Sequence, residues 1–194
     1  MKPLPSTLDV WMQRAGVLLL ALLPLHVWLR PEGGWALLAA CDICYIACAL
    51  GLLFRSHRLV GAAFLFSLTV SLPAMTMGLA TGTYPWNWSG IAIHIVPATF
   101  GGVRVYREGL PRTAAFDAWF VYAAAVMVAS VVSPPELNIN FGARPWTPVA
   151  GTFSLRVFQT LLIMTVGALL WLGQLVGWLI SRRRAASSRP APAR

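Results

Sequence analysis

Apolar residues run through this chain in long blocks separated by short polar stretches. The blocks lie at about 15–30, 35–54, 59–80, 89–106, 114–133 and 154–180. A helix needs roughly 20 residues to cross about 30 Å of hydrocarbon, with about 17 as a lower limit. The first block, "AGVLLLALLPLHVWLR", is short for that task, and the fourth, "SGIAIHIVPATFGGVRVY", is polar for it. The pattern predicts an all-α, polytopic transmembrane bundle of about six spans. It forms a single domain over residues 1–180, followed by a disordered basic tail over 181–194. The stretches between blocks are too short to hold a separate soluble domain.

Composition agrees with that pattern. Hydrophobic residues make up 58% of the 194-residue chain and charged residues 11%, whereas soluble domains carry about 25% charged residues. Two features at the N-terminal side could suggest processing. Lys2 and Arg14 precede an apolar run, but no small-x-small cleavage site follows it. "LAAC" ends in Cys41 like a lipoprotein cleavage box, yet it lies beyond "RPEGG" and runs straight into apolar sequence.

The basic residues set the expected orientation. With both termini inside, the cytoplasmic set is Lys2, Arg14, Arg55, Arg58, Arg104, Arg107, Arg112, Arg182, Arg183, Arg184, Arg189 and Arg194. Only Arg30, Arg144 and Arg156 fall outside. Twelve against three follows the positive-inside rule, and predicts a multi-pass plasma (inner) membrane protein with cytoplasmic N and C termini. The net charge of +9 is then mostly topology. Nucleic acid is not an expected partner, because the cations are spread over membrane-flanking loops. Membrane lipid is.

Polar residues inside the blocks carry the candidate chemistry. "LLAACDICY" places Asp42 and Tyr45 among thiols in the second block. Counted at 1.5 Å per residue from the expected outer edge, Cys41 and Asp42 lie roughly 10 Å deep, His94 roughly 8 Å and His26 roughly 6 Å. Three ionisable groups from three helices thus share one level. Such residues usually face the bundle interior and are functional candidates. Asp117 is expected at the interface, and His57 in a loop is given no role. Cys41, Cys44 and Cys48 share a helix face at i, i+3 and i+7, and Tyr45 lies within reach of Cys41 or Asp42. Pro97 removes an amide donor beside His94. Trp86 and Trp88 in "TYPWNWSG" suit a membrane interface. "SPPELNINFGARPWTP" lacks helical period and offers Asn138, Asn140 and Arg144 as pocket-lining or oxyanion groups. His26 is near enough to the interface to be wet, and is expected only to line the pocket.

Each group also has a plainer role. Cysteine in a membrane helix is usually a small packing residue, and Cys48 is read so. A histidine such as His94 can simply join helices by hydrogen bonds. A buried thiol is a poor nucleophile unless a base or cation activates it. His94 could take the Cys41 proton while Asp42 orients the imidazole. The substrate would then be acyl lipid, the material concentrated at that depth. A competing reading is thiol–disulfide exchange through the C-x-x-C of Cys41 and Cys44. Against it, only Cys48 remains to pass electrons on, and Cys41 is expected at the second turn of its helix, beyond reach of the dipole. The third class is a non-enzymatic membrane protein. A metal site with Cys41, Cys44, Asp42 and His94 as ligands is a further possibility, too sparse in pattern to be preferred, and no cofactor is expected.

The order of motifs resembles the YwaF family of bacterial membrane proteins. "CDI" in an early span is followed by "FRSHRL", then a mid-chain "HIVP", then "LNINFGARPW" before the last span. These pieces spread over most of the chain, from about residue 37 to about residue 175. The family's eukaryotic relative is a membrane acyltransferase of ether phospholipids. A more distant likeness is to the androgen-induced membrane hydrolases of fatty-acid esters. The resemblance implies an acyl-enzyme mechanism with Cys41 as nucleophile and His94 as base.

Overall fold

The computed structural model describes residues 6–30, 32–82, 88–141, 143 and 151–187. Among them the regular structure is helical: α1 Thr7–Trp28, α2 Ala40–Leu53, α3 His57–Phe66, α4 Leu72–Ala80, α5 Trp88–Glu108, α6 Ala114–Val132 and α7 Leu155–Ser187. Four rods in this described part are long and apolar enough to cross a membrane. They are α1, the α3–α4 rod His57–Ala80, α6, and α7 over Leu155–Arg182.

Several boundaries differ from expectation, each for a local reason. α1 begins at Thr7, not near residue 15, because Ser6 and Asp9 form a capping box. The Asp9 amide donates to Ser6 Oγ at 3.2 Å and the Ser6 amide to Asp9 Oδ2 at 3.1 Å. The second block, expected as one span, is broken. Gly33–Leu38 form a 3₁₀ helix, Ala39 is extended at ψ 136°, and α2 proper has 14 residues. That is too short to cross alone. Hydropathy cannot register the break, since both halves are equally apolar. Cys41 therefore stands in the first turn of α2, not at the start of the second. The fourth block forms α5 with 21 residues, long enough but too polar to join the four. α7 continues through Ser187, past the expected end of the last span at residue 180. Arginine and alanine extend an existing helix at little cost.

α3 and α4 make one rod, joined by a single π-helical turn at Ser67–Ser71. This rod is the centre of the bundle: α3 packs against α2, α5 and α6, while α1 lies on α2 and α7 on α6. Small residues set the closest crossings, as membrane helices require where backbones must touch. A Cβ on Gly16 of α1 would come within 2.6 Å of the Ala49 carbonyl in α2, and one on Gly101 of α5 within 2.7 Å of Phe64 Cβ. The outward faces of α1 and α7 expose Leu18, Trp11, Trp171 and Leu172, the surface expected of helices solvated by lipid.

Ion pairs gather the basic residues at one end. Arg58 holds Asp117 at 2.5 Å, His57 meets Glu108 at 3.2 Å, Arg104 meets Glu108 at 2.9 Å, and Arg107 approaches Asp9 at 3.9 Å. The start of α1, the α2–α3 turn, the end of α5 and the start of α6 thus share a side. The end of α1, the start of α2 and the loop after α6 share the other.

Candidate functional site: a buried polar cluster

At that other end, two neighbouring polar groups form inside the bundle. The first centres on Asp42, which is fully buried. Its Oδ1 lies 2.8 Å from His26 Nε2, and its Oδ2 lies 3.7 Å from Cys41 Sγ, which donates weakly to it. The His26 contact is a close approach of the ring to the carboxyl group rather than an in-line hydrogen bond. His26 occupies the last turn of α1, just after Pro24. Its Nδ1 is also buried and has no hydrogen-bond partner among the described residues. A carboxylate without such a partner could not stay in this apolar core at an acceptable cost.

The second group centres on His94. Its Nδ1 lies 2.5 Å from Ser71 Oγ, and its main-chain carbonyl accepts from Ser67 Oγ at 2.5 Å. Both serines belong to the π turn, and Ser67, Ser71 and His94 are all buried. α2, which carries Asp42, packs against both α1 and the α5 helix that carries His94. The two groups therefore sit on adjoining helices, and their pairing differs from the one expected. His26, expected only as pocket lining, is the partner of Asp42. His94 turns its Nδ1 to Ser71, not to Cys41. Depth counting could bring these residues to one level but could not say which ring faces which helix.

The remaining expected residues take other places. Tyr45 does not reach Cys41 or Asp42: its hydroxyl donates to the Leu19 carbonyl at 2.9 Å and ties α2 to α1. Asn140 closes the break before α2. Its Oδ1 accepts from the Ala40 amide at 2.8 Å and its Nδ2 donates to the Leu38 carbonyl at 2.6 Å. Asn138 Oδ1 accepts from the Ala143 amide at 3.1 Å, shaping its own loop. Trp88 opens α5 with an exposed ring. Trp86 and Arg144 lie outside the described residues. Cys44 donates to the Ala63 carbonyl at 3.1 Å, so the thiols of the C-x-x-C turn to different partners. Cys48 is a fully buried packing residue. Among the described residues, no group of three or more His, Cys, Asp or Glu side chains is placed to hold a metal ion.

Sequence reasoning missed Ser67 and Ser71. "SLTVS" reads as ordinary membrane helix, and serines there normally bond back to their own helix. The π turn that aims them across at α5 has no signature in hydropathy. A cavity of about 510 Å³ lies between α2, α3 and α6, and its lining does not include Asp42, His26, Ser71 or His94. Its walls include Ala40 and Cys44 at one end, Phe66 just before the π turn, and the Arg58–Asp117 pair at the basic end. No known protein family, curated protein or solved structure matches this chain.

Proposed function

We propose that this is a membrane acyltransferase or esterase acting on acyl lipid, with His94 as the proton acceptor of the reaction. The carrying observation is the 2.5 Å contact between His94 Nδ1 and a buried hydroxyl, Ser71 Oγ. A base within hydrogen-bond reach of a nucleophile is the arrangement acyl transfer needs. Elsewhere in the bundle, the apolar cavity between α2, α3 and α6 has a volume within the usual span of about 300–1,000 Å³ for ligand pockets. The likeness of the motif order to the YwaF family supports the same chemistry.

In this reading α2 with its preceding 3₁₀ turn, and the polar α5, complete six spans. The basic end is cytoplasmic, both termini are inside, and the cluster lies at outer-leaflet depth in the plasma membrane. The test is turnover by protein reconstituted in vesicles of phospholipid carrying an isotopically labelled acyl chain. Released or transferred label is expected, falling at least about 100-fold in His94→Gln, the usual contribution of a general base. Absence of turnover, or equal turnover in the variant, would overturn the reading.

A further inference from the structure

We infer that Ser71, and not a cysteine, is the nucleophile of this site. The inference rests on the acyl-transfer reading above and names the atom that carries it. Hydroxyls along these helices mostly satisfy themselves on a carbonyl of their own helix. Thr69 donates to Leu65, Thr76 to Leu72, Thr99 to Ile95, Thr160 to Arg156, Ser133 to Ala129 and Ser181 to Gly177. Ser71 departs from that habit. Its own backward carbonyl, on Ser67, accepts from the Leu72 amide in the i→i+5 pattern of the π turn, and its side chain crosses to the ring of His94. Single π turns inside α-helices recur at functional sites for this kind of re-aiming.

His94 is held to receive that hydroxyl. Pro97 leaves α5 short of one amide donor, and Ser67 Oγ grips the His94 carbonyl, so the two serines of one turn fix both the backbone and the ring. Among the described residues Cys41 has no imidazole partner. Its thiol points to the carboxylate of Asp42 rather than to an imidazole.

The chemistry balances with a carboxylic ester as the only reactant besides water or an alcohol. Ser71 Oγ attacks the ester carbonyl carbon as its proton passes to His94 Nδ1. Collapse of the tetrahedral adduct breaks the ester C–O bond, and the departing alkoxide takes the proton from the imidazolium. The acyl group is now on Ser71. Water, or the hydroxyl of an acceptor lipid, then loses a proton to His94 and attacks the acyl-serine. This releases a fatty acid or a new ester and restores the Ser71 hydroxyl. An acyl glycerolipid is the class of substrate that would bring such a carbonyl within the membrane.

The test uses full-length protein in vesicles, treated with an alkyl fluorophosphonate and mapped by peptide mass spectrometry. Attack by Ser71 would expel fluoride and leave a phosphonyl ester on that residue. The expected result is an adduct at Ser71, absent from Ser71→Ala and formed at least about 100-fold more slowly in His94→Gln. Ser71→Cys keeps a nucleophile in place, and is expected to accumulate an acyl adduct that neutral hydroxylamine releases. An adduct on Cys41 with Ser71 unmodified, in protein that still turns over labelled phospholipid, would overturn the serine while leaving acyl transfer standing. Neither adduct nor turnover would overturn both. Turnover that survives in Ser71→Ala would also overturn the serine, and a lowered melting temperature in that variant would then mark the Ser71–His94 bond as helix packing alone.

Discussion

Asp42 shows how one residue can be legible in sequence while its partner is not. A carboxylate in an apolar block must be paired or protonated, so its importance was plain from "AACDIC" alone. Its partner depended on which of two histidines turned towards it, and the 2.8 Å contact assigns His26. The energetics of the pair can be tested by a double-mutant cycle. Interhelical hydrogen bonds in membranes contribute on average about 0.6 kcal/mol and at most about 1.7, whereas stranding one charge of a buried pair costs about 3–5 kcal/mol. His26→Ala should therefore destabilise the protein by more than the neutral-bond figure. The double variant His26→Ala/Asp42→Ala should recover part of that loss, because no charge is left unpaired. Unfolding in mixed micelles would measure both, and a double variant less stable than His26→Ala would sink the assignment. Tyr45 teaches the converse. Its helical register put it within reach of the cluster, but its hydroxyl had a nearer carbonyl on α1.

At the scale of elements, the informative features are the two places where the helical pattern fails. One is the break at Ala39. The first amides of α2 lack a cap from their own segment, and an uncapped buried helix start leaves donors unsatisfied. Asn140 supplies the missing acceptor from 100 residues away in sequence. Asn140 itself sits at φ 51°, a left-handed conformation that asparagine tolerates better than most residues. Asn140→Ala should cost about 1–2 kcal/mol, the usual loss of a helix cap. It should also speed hydrogen exchange at the amides of Ala40 to Asp42 more than in α6 or α7. Uniform exchange across the bundle would mean that the loop does not hold α2. The other failure is the π turn at Ser67–Ser71. It leaves the rod continuous, so the span over 59–80 was foreseen within two residues of His57–Ala80, while the re-aimed serines were not.

For the whole molecule, the charges and the packing describe one arrangement. The chain's ion pairs bring the start of α1, the α2–α3 turn, the end of α5 and the start of α6 to a single end. Their cations are those the positive-inside rule gathers on one face. A fluorescent protein fused after Arg194 should therefore glow in the cytoplasm, and a periplasmic reporter there should stay inactive. Replacing Arg55, Arg58, Arg104, Arg107 and Arg112 with glutamine should weaken that preference, giving a mixed or inverted population. Unchanged orientation in that variant would mean that Lys2, Arg14 and the tail arginines suffice to set topology.

What the sequence determined by itself follows from the solvent. Lipid demands long apolar helices with satisfied backbones, so length and composition suffice to announce a helical membrane protein. Cation placement announces which ends belong together. Each buried polar residue stands out against such a background as costly and therefore paired. What only the tertiary structure decided is the pairing itself: His26 with Asp42, Ser71 with His94, Asn140 with the start of α2. These depend on rotation of each helix about its axis, on a 3₁₀ break and on one π turn. A shift of one residue turns a side chain by about 100° and changes nothing in the hydropathy of the block that contains it.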